Sequence, residues 1–542
     1  MSSDNINEIS STIANKNLLS SILFLMFPFL FASIFLEHKW RNMAQIILFF
    51  GLILLFLLRT RTSWIAVSAT ALLFCCSYIL HKSFYKNENK ISTRFSKLFL
   101  IQISVFIFAI GVIIFFPTAI EFSQNSIQKK TKKTVPANPY ENVLGSTPLA
   151  AATDANTIKT RIMLWENSYE MFKEHPFMGV GAGNWQIYFP KYGIGKFAEQ
   201  VAYGITHYQR PHNDFFWVLN EFGIIGFIFY VLIFFSVFYY LFQLLKTLDN
   251  ADYRWFYVFL ILTMIGYLLI AFVDFPLERI EHQIVLITIF SIASGEYYKK
   301  VHKKNQPVFV SLFYVFLIFI LPILFSLIVT INRFNGEKHS HKLYKAHYNK
   351  QWQTMIKEAD LAKNTFYSID PFSAPVFWYR GVANFALENK EQAKIDFEKA
   401  YSIHPNHIHI LNNLASCYEK MGNHSEAINF YDKALVISPD FVEARLNLSA
   451  AFYNSKEYTK AFETIDKCPL ATTDEKYNLF LPAILIAAVD EILKHQTDEK
   501  IISNLTSLKN NSETIVKQYK SSKSANQNFE KYLLKSIKNT IK

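Results

Sequence analysis

Long, nearly unbroken apolar blocks fill the first 331 positions, and beyond them polar and apolar residues alternate at helical spacing. A bilayer-crossing helix needs about 20 mostly apolar residues. The blocks at 18–36, 44–58, 63–80, 98–120, 222–245, 255–273, 282–297 and 307–331 therefore predict about eight spans, the second and seventh of them short. None carries a charge in its middle, which argues against an ion-coupled transporter, where acids or bases work at the midplane.

Lys39, Arg41, Lys82, Lys86, Lys90, Arg94, Lys97, Lys246, Arg254, Lys299, Lys300, Lys303 and Lys304 lie in one set of connecting segments. The alternate short loops hold only Arg59, Arg61 and Arg279. Because cytoplasmic loops collect Lys and Arg, the first set is assigned to the cytoplasm. The turn at 59–62, the long segment 121–213 and everything after 331 then share the opposite, periplasmic face. No cleavable signal peptide is expected from the polar, nearly uncharged first 16 residues.

Composition narrows the class. The 542 residues are 51% apolar, 16% aromatic and 18% charged, with 52 Phe and four Cys. That excludes disordered, collagenous and disulfide-stapled chains, and no Cys or Cys/His spacing offers a metal site. The net charge of +12 tracks the loops, so nucleic acid is not an expected partner. The mean hydropathy of +0.14 requires a sizeable polar portion.

That portion is periodic. Ala359, Ala393, Ala427 and Ala461 stand 34 residues apart, as do Pro371, Pro405 and Pro439, and Gly381, Ala415 and Ser449. Small residues let paired helices approach, and the prolines end each second helix. The interval resembles the tetratricopeptide repeat, whose stacked pairs form an α-solenoid. The clear repeats are 374–407 and 408–441, within an array at 340–475; 476–542 reads as a helical cap and flexible tail. The array is read either as a surface for a protein partner or as a spacer.

Within 121–213, residues 121–156 read as a mobile connector. Ile162, Trp165, Tyr169 and Phe172 recur at helical spacing, predicting an amphipathic helix over 157–174 against the membrane domain. Gly179, Gly181 and Gly183 come after no strand, so they predict a tight turn rather than a phosphate loop. The strings NKNLL (15–19), RTRTSWIA (59–66), TRIMLWENSYEMFKEHPFMGVGAGNW (160–185) and RPHNDFFWVLNEFGIIG (210–226) together resemble the O-antigen ligase/polymerase superfamily over roughly 15–300. Family members usually carry more spans ahead of the NKN-like segment.

The resemblance implies an all-α, polytopic membrane domain at 1–331, with its periplasmic loop at 121–213. It also implies a glycosyltransferase needing neither metal nor cofactor. The donor would be an undecaprenyl-pyrophosphate-linked glycan, and the acceptor the lipid A core or another hydroxyl. Chain polymerisation and protein O-glycosylation remain open within the class. Arg61 and Arg161 match the family's arginines and His212 the histidine of its His-Asn pair, with Arg210 and Asn213 in support. The residue types suit that chemistry: a guanidinium fork binds phosphate oxygens bidentately and stays ionised, and an imidazole accepts a hydroxyl proton. Each has a plainer reading: Arg59 and Arg61 as snorkelling anchors, Arg161 as a solvated helix residue, and His212 as a cap on the next helix. A membrane-anchored repeat scaffold is the reading from another class.

Overall fold

The computed structural model describes residues 16–36, 39–58, 60, 66–70, 72–73, 155–194, 197, 207–247, 251–301, 311–469, 474–494, 497 and 499–524. Among them the regular elements are helices, without a β-strand. The chain divides into two compact units, Met1–Gly179 with Arg210–Phe309, and Val180–Gln209 with Val310–Lys542.

The first unit holds α1 (Lys16–Leu36), α2 (Arg41–Leu58), α3 (Ala155–Glu174), α4 (Asp214–Thr247), α5 (Ala251–Val273) and α6 (Ile280–Lys300). Phe24 and Leu25 of α1, Leu55 of α2, Phe234 and Leu241 of α4, Leu260 and Met264 of α5 and Ile289 of α6 share one buried core. Among the described residues, Asp214–Thr247, Arg254–Val273 and, in the second unit, Phe313–Tyr348 are long and apolar enough to cross a membrane; Leu19–Ser33 and Arg41–Leu55 are shorter apolar helices. Of the expected spans, 63–80 is represented only by 66–70 and 72–73. The span at 98–120 and the connector before residue 155 lie outside the described residues.

Helix α4 begins at Asp214, eight residues before the expected 222, and breaks at Gly223 (φ 64°, ψ −169°). A broken helix exposes backbone N–H groups, which apolar surroundings penalise by several kcal/mol each if unpaired. Here the turn after α3 supplies the acceptors: Ile224 N–H donates to the Pro176 carbonyl at 2.8 Å and Ile225 N–H to the Phe177 carbonyl at 3.5 Å. The crossing is close enough that a Cβ on Gly223 would meet the Phe177 carbonyl oxygen at 2.2 Å, and one on Gly179 the Glu221 carbonyl carbon at 2.4 Å. The turn expected at Gly179 thus holds α3 on α4.

The second unit opens with α7 (Leu312–Tyr348), which runs past residue 331 without interruption. Its apolar half leaves Phe313, Phe316, Phe319, Leu324 and Ile328 exposed, a surface suited to lipid. Its polar half buries Leu343 and Ala346 against α8 (Trp352–Ala362). There follow α9 (Val376–Ala386), α10 (Lys390–Ile403), α11 (Ile408–Lys420), α12 (His424–Ile437), α13 (Val442–Asn454) and α14 (Tyr458–Asp466). The periodic alanines 359, 393, 427 and 461 are all buried. At Gly381 an added Cβ would meet the Phe397 ring at 2.6 Å, which is why that position is small.

The prolines do not act alike. Pro405 and Pro439 come two residues after α10 and α12, but α8 stops nine residues before Pro371. The intervening turn is organised by the buried Asp370 carboxylate, which accepts from the Phe372 and Ala374 N–H groups and the Tyr344 and Tyr379 hydroxyls. Helices α15 (Glu475–Lys494), α16 (Glu499–Lys509) and α17 (Ser512–Ser524) close the array around Tyr477, Leu485, Leu505 and Tyr519. Residues 525–542 of the expected tail lie outside the described residues.

The sequence pattern groups all of 121–213 with the membrane domain, whereas Val180–Gln209 belongs with the repeats. Within the segment Trp185 and Phe189 are buried and stacked at 4.2 Å, with Phe197 5.9 Å from Phe189. Ile194 N–H donates to the Ile437 carbonyl at 3.3 Å.

Gly223→Ala should strain the backbone by about 1–3 kcal/mol and collide with the Phe177 carbonyl, lowering the yield of folded protein in detergent more than Gly295→Ala, which meets nothing within 4 Å. In the repeats His404 is fully buried with both ring nitrogens unbonded, and burial pushes its pKa down to about 3. The unfolded chain takes up that proton near pH ~6.5 and the folded one resists it, so stability is full above that pH and declines as pH falls toward 3. Hydrogen exchange of peptides spanning 404–414 should accordingly show less protection against opening at pH 4.5 than at 7, after correction for intrinsic exchange.

Candidate functional site

Five elements of the first unit bring their polar ends together. Ser20 of α1 is hydrogen-bonded to Thr60 just beyond α2, and Ser21 of α1 meets His282 Nε2 of α6 at 2.6 Å. The start of α4 reaches the α5–α6 connection, where Asp214 accepts from the Leu277 N–H at 2.9 Å. Thr60, Asp214 and His282 therefore stand at the same end of the helix bundle. Arg61, the residue after Thr60, lies outside the described residues.

His212 occupies the entry to α4. Its backbone is left-handed (φ 52°), a conformation that costs an ordinary side chain free energy and persists where neighbours impose it. On one side Trp165 Nε1–H donates to the Pro211 carbonyl at 3.0 Å. On the other, Asn213 caps α4 by accepting from the Phe216 N–H at 3.0 Å. The capping role open to His212 on sequence grounds thus belongs to Asn213. Its amide Nδ2 is buried without a hydrogen-bond partner among the described residues.

Phe275 is the ring around which the charges gather. The His212 imidazole meets it edge-on at 5.1 Å, the Arg210 guanidinium lies 4.5 Å from its centroid, and that of Arg279 lies 5.5 Å away. Arg210 is also ion-paired with Glu278. Such pairing ties Arg210 to the α5–α6 loop.

Arg161 faces inward. The stripe expected on α3 is displaced: Ile162 and Tyr169 are 46% and 51% exposed, whereas Leu164, Ser168 and Met171 are buried. Arg161 precedes these three at the spacing of one helix face, so it is no solvated surface residue. Trp165 fixes the rotation, packing on Phe216 at 6.1 Å and Phe272 at 5.5 Å. The sequence pattern weighted the large aromatics; the buried row is instead a leucine, a serine and a methionine.

Electrostatics link the groups. Burial, then the Arg161 and Arg210 charges, push His212 down to about 4, so its imidazole is neutral at physiological pH. Burial raises the Asp274 carboxyl, opposed first by Arg161 and then by Arg279 and Arg210. Arg161 thus acts on both His212 and Asp274. Sequence reasoning misses Asp274, Phe275, Glu278 and His282 as site residues, though the charged DFPLER run (274–279) between two apolar blocks is a visible signal. Among the described residues no group of three His, Cys, Asp or Glu could hold a metal ion.

Residues 46–231 match the family model described as O-Antigen ligase, and 377–407 and 409–441 match tetratricopeptide repeat models. These matches support an O-antigen ligase-like membrane protein with C-terminal tetratricopeptide repeats. No curated protein matches. Among solved structures, the crystal structure of MamA is similar at 20% identity, covering 24% of this chain and 75% of that one, with a TM-score of 0.23. The ligase-like match encloses Arg61, Arg161, Arg210, His212 and Asn213, but stops short of the Asp274–Arg279 loop.

Removing the Arg161 charge should raise the pKa of His212. In full-length protein treated with diethyl pyrocarbonate and mapped by peptide mass, modification of His212 should reach half its maximal rate near pH 4 in the parent and at a higher pH in Arg161→Gln. An unchanged midpoint would place Arg161 away from the imidazole.

Proposed function

We propose that the ligase-like domain transfers a glycan from undecaprenyl pyrophosphate to an acceptor hydroxyl at the periplasmic face of a bacterial inner membrane, with the lipid A core as acceptor. The observation that carries this reading is the pairing of an inward-facing Arg161 with a neutral, backbone-strained His212 at one end of the bundle. Support also comes from the O-Antigen ligase match over 46–231.

The chemistry has two electrostatic demands. Charge develops on the pyrophosphate as the glycosidic C–O bond breaks, and Arg161, together with Arg61, would bind its oxygens bidentately. The acceptor oxygen forms the new bond to the anomeric carbon, and its proton passes to His212. A pKa near 4 makes the free imidazole a weak base. The bound diphosphate counters this by placing anionic charge beside the ring, offsetting the arginines and raising its affinity for a proton. A single displacement of this kind inverts the anomeric configuration and asks for no metal.

Complementation of a ligase-deficient strain tests the assignment. The parent chain should restore glycan on lipid A core. His212→Ala should lower transfer by about 10²-fold or more, and Arg161→Lys should also impair it, since a point charge does not reproduce the fork. Transfer by His212→Ala at the parental rate would remove the histidine from the mechanism and favour the scaffold reading. Lengthened chains without lipid A attachment would reassign the protein to polymerisation, and glycan on protein to O-oligosaccharyl transfer.

A further inference from the structure

We propose that the repeat array works in cis, its inter-repeat edge gripping the described residues 186–194 and 207–209 so that the chain leading into His212 is held from its N-terminal side. Within the second unit, three successive repeat junctions touch this segment. At the first, the Ser373 hydroxyl donates to Gln186 Oε1 at 2.7 Å, and Gln209 Nε2 donates to the Pro371 carbonyl. At the second, Asn406 Nδ2 donates to the Ile187 carbonyl at 3.0 Å, and the His207 ring lies 4.6 Å from that of His407. At the third, the Ile437 carbonyl accepts from the Ile194 N–H at 3.3 Å.

The contacts keep the period of the repeat. Ser373 and His407 are 34 residues apart, so one equivalent junction position serves in two consecutive repeats. The segment advances along the edge from Gln186 to Ile194 and is back at the first junction by Gln209. The Trp185–Phe189 stack is buried there, and Phe197 and Tyr208 lie 5.2 Å apart, which ties the outgoing and returning arms of the segment to each other. A polar solvated loop has no need of a buried Trp and Phe; a docked one does.

The residues just beyond the segment give the grip its use. Gln209, held at Pro371, immediately precedes Arg210, and His212 is three residues past Gln209. A left-handed histidine persists only where the chain on both sides is fixed. Asn213 fixes it on one side and the clamp contributes on the other. The residues of the array are positioning residues in this scheme; none touches the reacting groups. The catalytic consequence rests on the function proposed above, while the clamp itself is tested without it.

Gln186→Cys with Ser373→Cys in the full-length chain should be joined by a short bifunctional methanethiosulfonate reagent, which replaces the reach of the Gln186 side chain, and be seen as one linked peptide under non-reducing conditions. Failure of that link in protein whose array peptides keep parental exchange protection would overturn the clamp. Asn406→Ala with Gln209→Ala should raise amide exchange of peptides spanning 185–194 by about tenfold. It should also lower the turnover of glycan transfer with the donor KM unchanged, and Asn406→Gln should recover part of the loss. Unchanged exchange, or a loss confined to KM, would overturn the positioning role. If the parent transfers no glycan, the link and the exchange still decide the clamp, and only the proposed activity fails.

Discussion

The backbone crossing of Gly179 and Gly223 is the constraint on which the candidate site depends. A helix interrupted in apolar surroundings needs acceptors for its freed N–H groups, and the Pro176 and Phe177 carbonyls are the acceptors for Ile224 and Ile225. Neither glycine has room for a Cβ, so the two chains meet backbone to backbone. That contact registers α3 along α4. Trp165 then sets its rotation, and Arg161, one turn ahead on the buried face, is delivered to His212. The distance from Arg161 to Gly179 along the chain is bridged by a helix, so the register error at the site is small.

Arg161 and Arg210 act on His212, the same two with Arg279 act on Asp274, and Arg210 is also ion-paired with Glu278. Arg161 differs, since its charge falls on a neutral imidazole and on a carboxyl whose acidity burial has already weakened. Under the proposed function, an anion held by Arg161 would also favour protonation of His212, so substrate charge and base strength would be coupled.

Much of this is legible in the chain without coordinates. Helical architecture, the repeat interval and the neighbourhood of Arg161 with His212 come from apolar block length, from alanines 34 apart and from the family resemblance. Local pattern fails where long-range packing decides. Of the stripe Ile162, Trp165, Tyr169 and Phe172, Trp165 packs inward while Ile162 and Tyr169 are exposed, because α3 packs through smaller side chains around that hydrogen-bonded tryptophan. Pro371 has the spacing of a helix stop, yet Asp370 builds a turn well after α8 has ended. Asn213 looks like a partner of His212 and is the cap of α4. The Asp274–Arg279 loop reads as an ordinary charged connection until Phe275 is seen beneath three side chains.

Partition of the chain into two units also changes what its loop is for. Among the described residues of this segment, Trp185 and Phe189 are buried and the Ile187 carbonyl accepts from Asn406, a mixture unsuited to lipid. Successive repeat junctions meet the segment in different ways, with a hydroxyl donor and a carbonyl at the first, an amide donor and an imidazole ring at the second, and a carbonyl at the third. With that edge taken by the protein's own loop, a separate polypeptide recognised by the array must use another of its faces.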